Sequence, residues 1–232
     1  MPHSAKAWCK RAFTLTRIFT GRYTGCVEVT GNLQHDASVQ RTSSADRILR
    51  TALDLFAVKG YDATAVREIC EAAQITKPTL YYFFGSKDGV FKALVTGAFN
   101  EFRGHVERSL VGRDPLRNKL KTLARSLFAD TRARPKLWRF IHAIVWVPPS
   151  TAPSTDCSKF YEGVLTLLGD AIDRAVVLGE VTPGPTRVRL LVLMGALCEA
   201  ANGFVIAGQP ELTPDLADTL IDTIADGWSC HA

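Results

Sequence analysis

From Ser44 onward, apolar residues return every three or four positions. Ile48, Leu49, Ala52, Leu53 and Phe56 form one stripe, which predicts an amphipathic helix. Gly60 stands where such a helix would stop, at a position that favours a left-handed residue. Thr64 reads as an N-cap, followed by a short second helix over 67–72 with Val66, Ile69, Cys70 and Ala73 turned inward. Gln74 and Ile75 make a tight turn. Thr76 is a second N-cap, and Pro78 lies in the first helical turn, where its missing N–H costs little. Leu80, Tyr81, Phe83 and Phe84 follow, and Gly85 ends that helix. Ser86 caps a longer one running from Lys87 to about Leu110.

The remaining chain also reads as helices separated by Pro and Gly. They cover 115–129, 135–147, 158–178, 186–207 and 214–228, with a Pro-rich loop over 148–156. No alternating strand pattern of useful length occurs, so the fold class is all-α: a helix-turn-helix domain followed by a larger helical domain. Residues 1–43 show no sustained period and are expected to be a disordered or weakly ordered extension. The domain boundaries expected from this pattern are 1–43, 44–95 and 96–232.

Composition narrows the function classes. Apolar residues make up 47% and charged residues 22%, enough for a packed core. Six scattered Cys without a CxxC pair argue against a zinc module or disulfide scaffold and fit reduced thiols in a cytoplasmic protein. The longest apolar run, Leu190 to Cys198, is nine residues, so no membrane span is expected. No GxSxG, HExxH or phosphate-cradling Gly loop is present, and no catalytic residues, metal site or cofactor are expected. The net charge of +5 lies mostly in residues 1–43, which carry +4. A basic arm touching DNA is one reading of that segment, with Arg41 and Arg47 nearest the folded part.

Two short helices joined by a tight turn, steadied by a preceding helix, make a helix-turn-helix arrangement. The ordered string is Ile48-Leu49, Ala52-Leu53, Leu55-Phe56, Gly60-Tyr61, Thr64, Val66, Ile69, then Ile75-Thr76-Lys77-Pro78-Thr79-Leu80-Tyr81-Tyr82-Phe83-Phe84 and Ser86-Lys87. It resembles the N-terminal domain of the TetR family of transcriptional regulators. The resemblance implies DNA-facing roles at Thr64, Arg67, Lys77, Pro78, Thr79, Tyr81 and Lys87. It also implies a helical ligand-binding and dimerisation domain from about residue 97. The chain departs from the family pattern at Gln74, where Gly is usual, at Ala65, which replaces a hydroxyl residue, and at Phe83, where His or Tyr is frequent. Gly89 is expected to weaken the first turn of its helix.

The residue chemistry suits that role. Phosphate contacts supply most of the affinity for DNA, and base edges supply specificity. A helix over 76–84 can enter the major groove by its N-terminal end. Lys77 can reach a guanine or a phosphate, while Pro78 and Thr79 offer a ring and a methyl suited to thymine. Tyr81 can stack or donate to a phosphate, and Tyr82 is a further candidate phosphate contact. Thr64 and Lys87 stand at helix starts, where free N–H groups favour an anion.

In the second domain the expected effector pocket is lined by Trp138, His142, Trp146, Phe160, Tyr161, Met194, Glu199 and Asn202, with His142, Glu199 and Asn202 as polar anchors. Leu216, Leu220, Ile224 and Trp228 repeat every four residues, and 186–207 carries a similar stripe. These last two helices are expected to form a homodimer interface with two-fold symmetry. The leading functional expectation is a repressor that binds an inverted-repeat operator on double-stranded DNA as a dimer and is released by a small hydrophobic effector. The alternative is a helical ligand-binding protein whose DNA contacts are vestigial.

Overall fold

The structure, a computed structural model, describes residues 35–146 and 157–228. Side chains of 35–43, 145–146 and 157–158 fall outside the description, as do the Pro-rich loop over 148–156 and most of the N-terminal extension. Nine helices and no strand occur among the described residues, in agreement with the all-α expectation. They are α1 (His35–Lys59), α2 (Val66–Ala72), α3 (Lys77–Phe84), α4 (Lys87–Ser109), α5 (Leu116–Ala133), α6 (Pro135–Trp146), α7 (Cys157–Val177), α8 (Thr186–Ala207) and α9 (Pro214–Asp226). The chain divides into two compact units, the first ending at Glu101 and the second beginning at Phe102.

In the first unit, α1 begins at His35 rather than at Ser44. No Gly or Pro lies between His35 and Lys59, so nothing in the backbone stops the helix at the start of the apolar stripe. That stripe is buried as expected, with Ile48, Leu49 and Ala52 fully enclosed. Gly60 ends α1 with φ +83° and donates its N–H to the Phe56 carbonyl at 3.0 Å. Immediately beyond it, Tyr61 packs edge-on against Phe91 (centroids 4.8 Å apart) and tilted against Phe56 (5.3 Å). This aromatic corner joins the end of α1 to α4.

The second unit is built around α8. Its inner face, including Leu190, Leu193, Met194 and Leu197, lies in the core with Leu123, Leu168 and Ile172. Its outer face is apolar too: Val188, Leu191, Val192 and Ile206 are exposed. By length and composition α8 is apolar enough to cross a bilayer, a property the nine-residue uninterrupted run did not disclose. Burial of one face in the core gives half of that apolarity an ordinary purpose.

Helix α9 lays one side of its apolar stripe on the core of its own unit. Ala217, Ile221 and Ala225 are buried against the rest of the unit, and Leu216, Leu220 and Ile224 are half-buried on the same core. A ladder of ions zips its flank to α5. Arg117 meets Asp222 at 3.2 Å and Asp226 at 2.5 Å, Lys121 meets Asp222 at 2.8 Å, and Arg125 reaches Asp218 at 2.6 Å. These residues recur every fourth position on both helices, so one face of each carries the whole row. Just past the helix, the Trp228 carbonyl accepts from the Thr182 N–H at 2.9 Å and its hydroxyl at 2.7 Å.

Candidate nucleic-acid interface

Helix α2 is too short to be stable alone, and tertiary contacts hold it. Ile69 and Cys70 bury its inner face. Its end is closed by a paired turn: Ile75 N–H donates to the Cys70 carbonyl at 2.9 Å, and Gln74 N–H to that of Glu71 at 3.1 Å. This six-to-one and five-to-two pairing needs a left-handed residue between helix and turn. Gln74 supplies it, with φ +53°, among the described residues the sole non-glycine at positive φ. The strain is about 1 kcal/mol relative to Gly.

Thr76 caps α3 as the sequence predicts. Its Oγ1 accepts from the Thr79 N–H at 3.4 Å and lies 2.9 Å from the Thr79 hydroxyl. Leu80 is fully buried, while Lys77, Pro78, Tyr81 and Tyr82 are exposed and Thr79 is half-buried. Helix α3 therefore presents one unpaired polar and aromatic face, with Tyr82 stacked edge-on to Phe83 at 5.2 Å. Gly85 closes it with φ +74°, donating to the Tyr81 carbonyl at 2.8 Å. Ser86 caps α4 through the Gly89 N–H at 3.0 Å.

Gly89 has a purpose the sequence did not reveal. A Cβ there would lie 1.8 Å from the Phe84 carbonyl oxygen. The end of α3 is packed so closely on the first turn of α4 that only hydrogen fits. What reads locally as a weakness in α4 is the condition for placing α3.

Two expected phosphate contacts are corrected. Thr64 does not cap α2; Ala65 occupies the cap, its N–H donating to Glu68 Oε2 at 2.9 Å. The Thr64 side chain is buried, and its hydroxyl donates to the Gly60 carbonyl at 2.8 Å. The tight turn after α1 carries its own acceptor, which captures the hydroxyl. Lys87 is also turned inward. Its Nζ donates to the carbonyls of Thr64 at 2.9 Å and Tyr61 at 3.0 Å, and sits 4.2 Å over the Tyr61 ring. The neighbouring Asp88 accepts from the Tyr61 hydroxyl. Burial, and then this bond to Asp88, push the Tyr61 phenol well above its ordinary pKa, so it stays a donor. Tyr61, Lys87 and Asp88 thus form a clasp between the α1–α2 turn and α4. Alternation of Lys with Asp at a helix start gave no sign of it, because both partners come from a turn more than twenty residues earlier.

Arg67 is exposed on α2 and pairs with Glu71 at 2.7 Å, an exposed i,i+4 contact that competes weakly with any other anion. On α1, Arg47 and Arg50 are exposed; the side chain of Arg41 falls outside the described residues.

The residues expected to line an effector pocket differ in burial. Met194 is buried in the core, and Trp138, His142, Phe160 and Asn202 are half-buried. Glu199, expected as a polar anchor, is exposed, as is Tyr161. On α8 the inward positions are Leu197, Ala200 and Ala201, which puts Glu199 on the outer side of the turn. The Trp146 side chain lies outside the described residues. A half-buried polar group that the sequence did not reveal is Asp130, whose carboxylate accepts from the Trp138 indole N–H at 3.1 Å and from Arg134. His105 lies nearby with its Nε2 buried and without a hydrogen-bond partner. Burial first, and the Arg108 and Arg134 charges, lower its pKa, while Asp130 acts the other way. Glu101 and His105 also stand one turn apart on α4, a spacing that metal ligands use and that the expectation of no metal site overlooked.

Comparison with known proteins agrees with this architecture. Residues 48–94 match the family described as "Bacterial regulatory proteins, tetR family". A stretch of 57 residues is 37% identical to the biofilm operon icaADBC HTH-type negative transcriptional regulator IcaR of Staphylococcus epidermidis, covering 25% of this chain and 31% of that one. The chain thus matches about a third of that relative's length. Solved structures extend the likeness across both units. A TetR family transcription regulator from Marinobacter aquaeolei has a TM-score of 0.68 at 19% identity, covering 82% of this chain and 98% of its own. The fatty acid degradation regulator FadR from Bacillus halodurans scores 0.66 at 20% identity, over 79% and 95%. FadR from Bacillus subtilis, solved with stearoyl-CoA, scores 0.66 at 17%, over 78% and 97%. The fold is shared with those structures: a helix-turn-helix unit followed by a helical second unit. The match to that family lies within the helix-turn-helix unit and covers 47 of the 232 residues.

Proposed function

We propose that this chain is a TetR-type transcriptional regulator that binds an inverted-repeat operator as a dimer and represses from it. The observation that carries this reading is the outward face of α3. Lys77, Pro78, Tyr81 and Tyr82 are exposed together while Leu80 anchors the helix from behind. A short helix so held, with its N-terminal turn free, suits entry into a major groove. The name of the IcaR relative, a negative regulator, favours repression.

The partner copy docks on the outer face of α8, where Val188, Leu191 and Val192 are exposed. A second copy covering this face would satisfy its apolar surface and give the two-fold symmetry an inverted repeat requires. The half-buried Leu216, Leu220 and Ile224 of α9 belong to the same proposed interface. The effector is a small hydrophobic molecule bound in the second unit, a reading favoured by the half-buried Trp138 and Phe160 and by the acyl-CoA bound to the Bacillus subtilis neighbour. Binding that favours a state with displaced helix-turn-helix units would release DNA. The protein acts in the cytoplasm, where its operator lies.

The test is selection of bound duplexes from a random pool, followed by gel shift of the selected sequence. Recovery of an inverted repeat, retained by the wild type and released by Lys77→Ala, is the expected result. A pool that shows no enrichment would overturn the reading. Sedimentation of Leu191→Glu against wild type checks the dimer face, and an unchanged mass at micromolar concentration would remove it.

A further inference from the structure

Three side chains of metal-binding type meet beside Trp138. Helix α4 is unbroken from Lys87 to Ser109, so its own period places Glu101 and His105 on one face, one turn apart. Asp130 comes to them from the last turn of α5. A ring nitrogen of His105 and one carboxylate oxygen each from Glu101 and Asp130 all lie within 4.8 Å of one another, and all three residues are half-buried.

Two further observations point to a ligand between them. His105 Nε2 is buried and has no hydrogen-bond partner. A ring nitrogen so placed has lost water and gained nothing in return, which a folded protein seldom tolerates without an ion or a water at the spot. Burial first, and then the nearby Arg108 and Arg134, keep its imidazole neutral, the form that ligates a metal. The second observation is the support behind Asp130. Its Oδ2 accepts the Trp138 indole N–H at 3.1 Å, and its Oδ1 accepts from Arg134. Each oxygen thus takes one bond and keeps a lone pair for another. Outer partners of this kind hold ligating carboxylates in position. Arg134 brings a positive charge, and the two carboxylates together outweigh it.

We infer that Glu101, His105 and Asp130 form a binding site for a divalent cation, Zn²⁺, with a fourth position left to water. One imidazole and two carboxylates suit zinc, whereas magnesium and calcium prefer oxygen throughout. Tetrahedral ligands about 2.0–2.2 Å from a zinc ion lie about 3.4 Å from one another, so shifts of about 1–1.5 Å at the side-chain tips close the group on an ion. The ion would tie α4 to α5. The site stands on its own geometry and does not depend on the DNA-binding reading.

The test strips the full chain of metal with a chelator and titrates it with Zn²⁺ in a calorimeter. Wild type should bind at this site and melt at a higher temperature with Zn²⁺ than without it. Trp138→Phe, which removes the N–H that steadies Asp130, should weaken binding by about 10-fold. His105→Gln, Glu101→Gln and Asp130→Asn each remove a ligand and should cost about 100-fold or more. His142→Gln, outside the group, should bind as wild type does. Co²⁺ in place of Zn²⁺ should give its visible bands without a thiolate charge-transfer band, because the group contains no Cys. Melting of the metal-free variants identifies any that fail to fold. Glu101→Gln and Trp138→Phe keep the test decisive if His105→Gln or Asp130→Asn does. Absence of Zn²⁺ binding, binding that the folded variants leave unchanged, or a thiolate band with Co²⁺ would each overturn the inference.

Discussion

In the first unit, turns are closed largely by neighbours in sequence. Gly60 bonds to Phe56, Thr64 to Gly60, Gln74 to Glu71, Thr79 to Thr76 and Gly89 to Ser86, each within four residues. In the second unit the decisive polar contacts join distant segments. Glu180 accepts the Leu116 N–H at 2.7 Å, Thr182 bonds to Trp228, and Arg117 pairs with Asp222 and Asp226. Short-range closure makes each helix end an independent device, so a single residue can be asked what it does. Long-range closure makes the elements depend on one another. A reading position on α3 must be held to fractions of an ångström, and local, mostly uncharged contacts do that with little sensitivity to salt. The exposed ionic ladder on α5 and α9 is a different kind of fastening, one that salt loosens.

The sharpest way to break this contrast is Gly89→Ala. The added carbon meets a backbone oxygen, which cannot move aside without shifting α3. A loss of about 3 kcal/mol in the unfolding of the first unit is expected, with loss of operator retention. Urea titration would check it, and wild-type stability would show that the close approach is not real. Next in size is Lys87→Met, which removes the cation from the Tyr61 and Thr64 carbonyls. It should cost about 2 kcal/mol of stability. It should also leave the slope of log affinity against log salt unchanged, whereas Lys77→Ala should reduce that slope by about 0.9 if it meets a phosphate. A reduced slope for Lys87→Met would restore the phosphate role.

Gln74→Gly should stabilise the first unit by about 1 kcal/mol, since Gly adopts the left-handed turn without strain; a calorimetric melt that falls instead would contradict the turn geometry. In the second unit, Asp222→Asn should give a smaller loss that shrinks as salt is raised, because Asp222 is solvent-exposed and its carboxyl is held low by Lys121 and Arg117. A loss independent of salt would remove the ladder from the account. The smallest expected effect is at His105. Burial lowers its pKa in the folded state, so the unfolded chain binds a proton more readily. Stability should fall as pH drops through about 6.5 and level off below the folded value. His105→Gln should flatten that part of the pH–stability curve.

How much of this was open to a reader of the residues follows from the same contrast. Thr76, Gly85, Ser86 and the tight turn at Gln74 were legible because capping and turn chemistry act over three or four residues. The exposure of Lys77, Pro78 and Tyr81 agrees with the outward roles that the family resemblance implied. Thr64 and Lys87 were misplaced by the same local logic: both stand near helix starts, but their partners are carbonyls of the α1–α2 turn. The start of α1 at His35 was missed because helix can continue past the end of an apolar stripe. In the second unit, the stripe on α9 was visible, yet nothing local says whether α5 or another chain covers it. Glu199 was assigned inward on type alone, and the turn of α8 puts it outside.

Amino-acid order therefore settled the all-helical class, most helix limits and the cap that opens α3, since each depends on period and on caps a few residues apart. Assembly of the chain settled which polar atoms are already engaged, why Gly89 must lack a side chain, and which apolar face remains uncovered. Those depend on residues that meet only after distant segments pack, and no spacing along the chain encodes their approach.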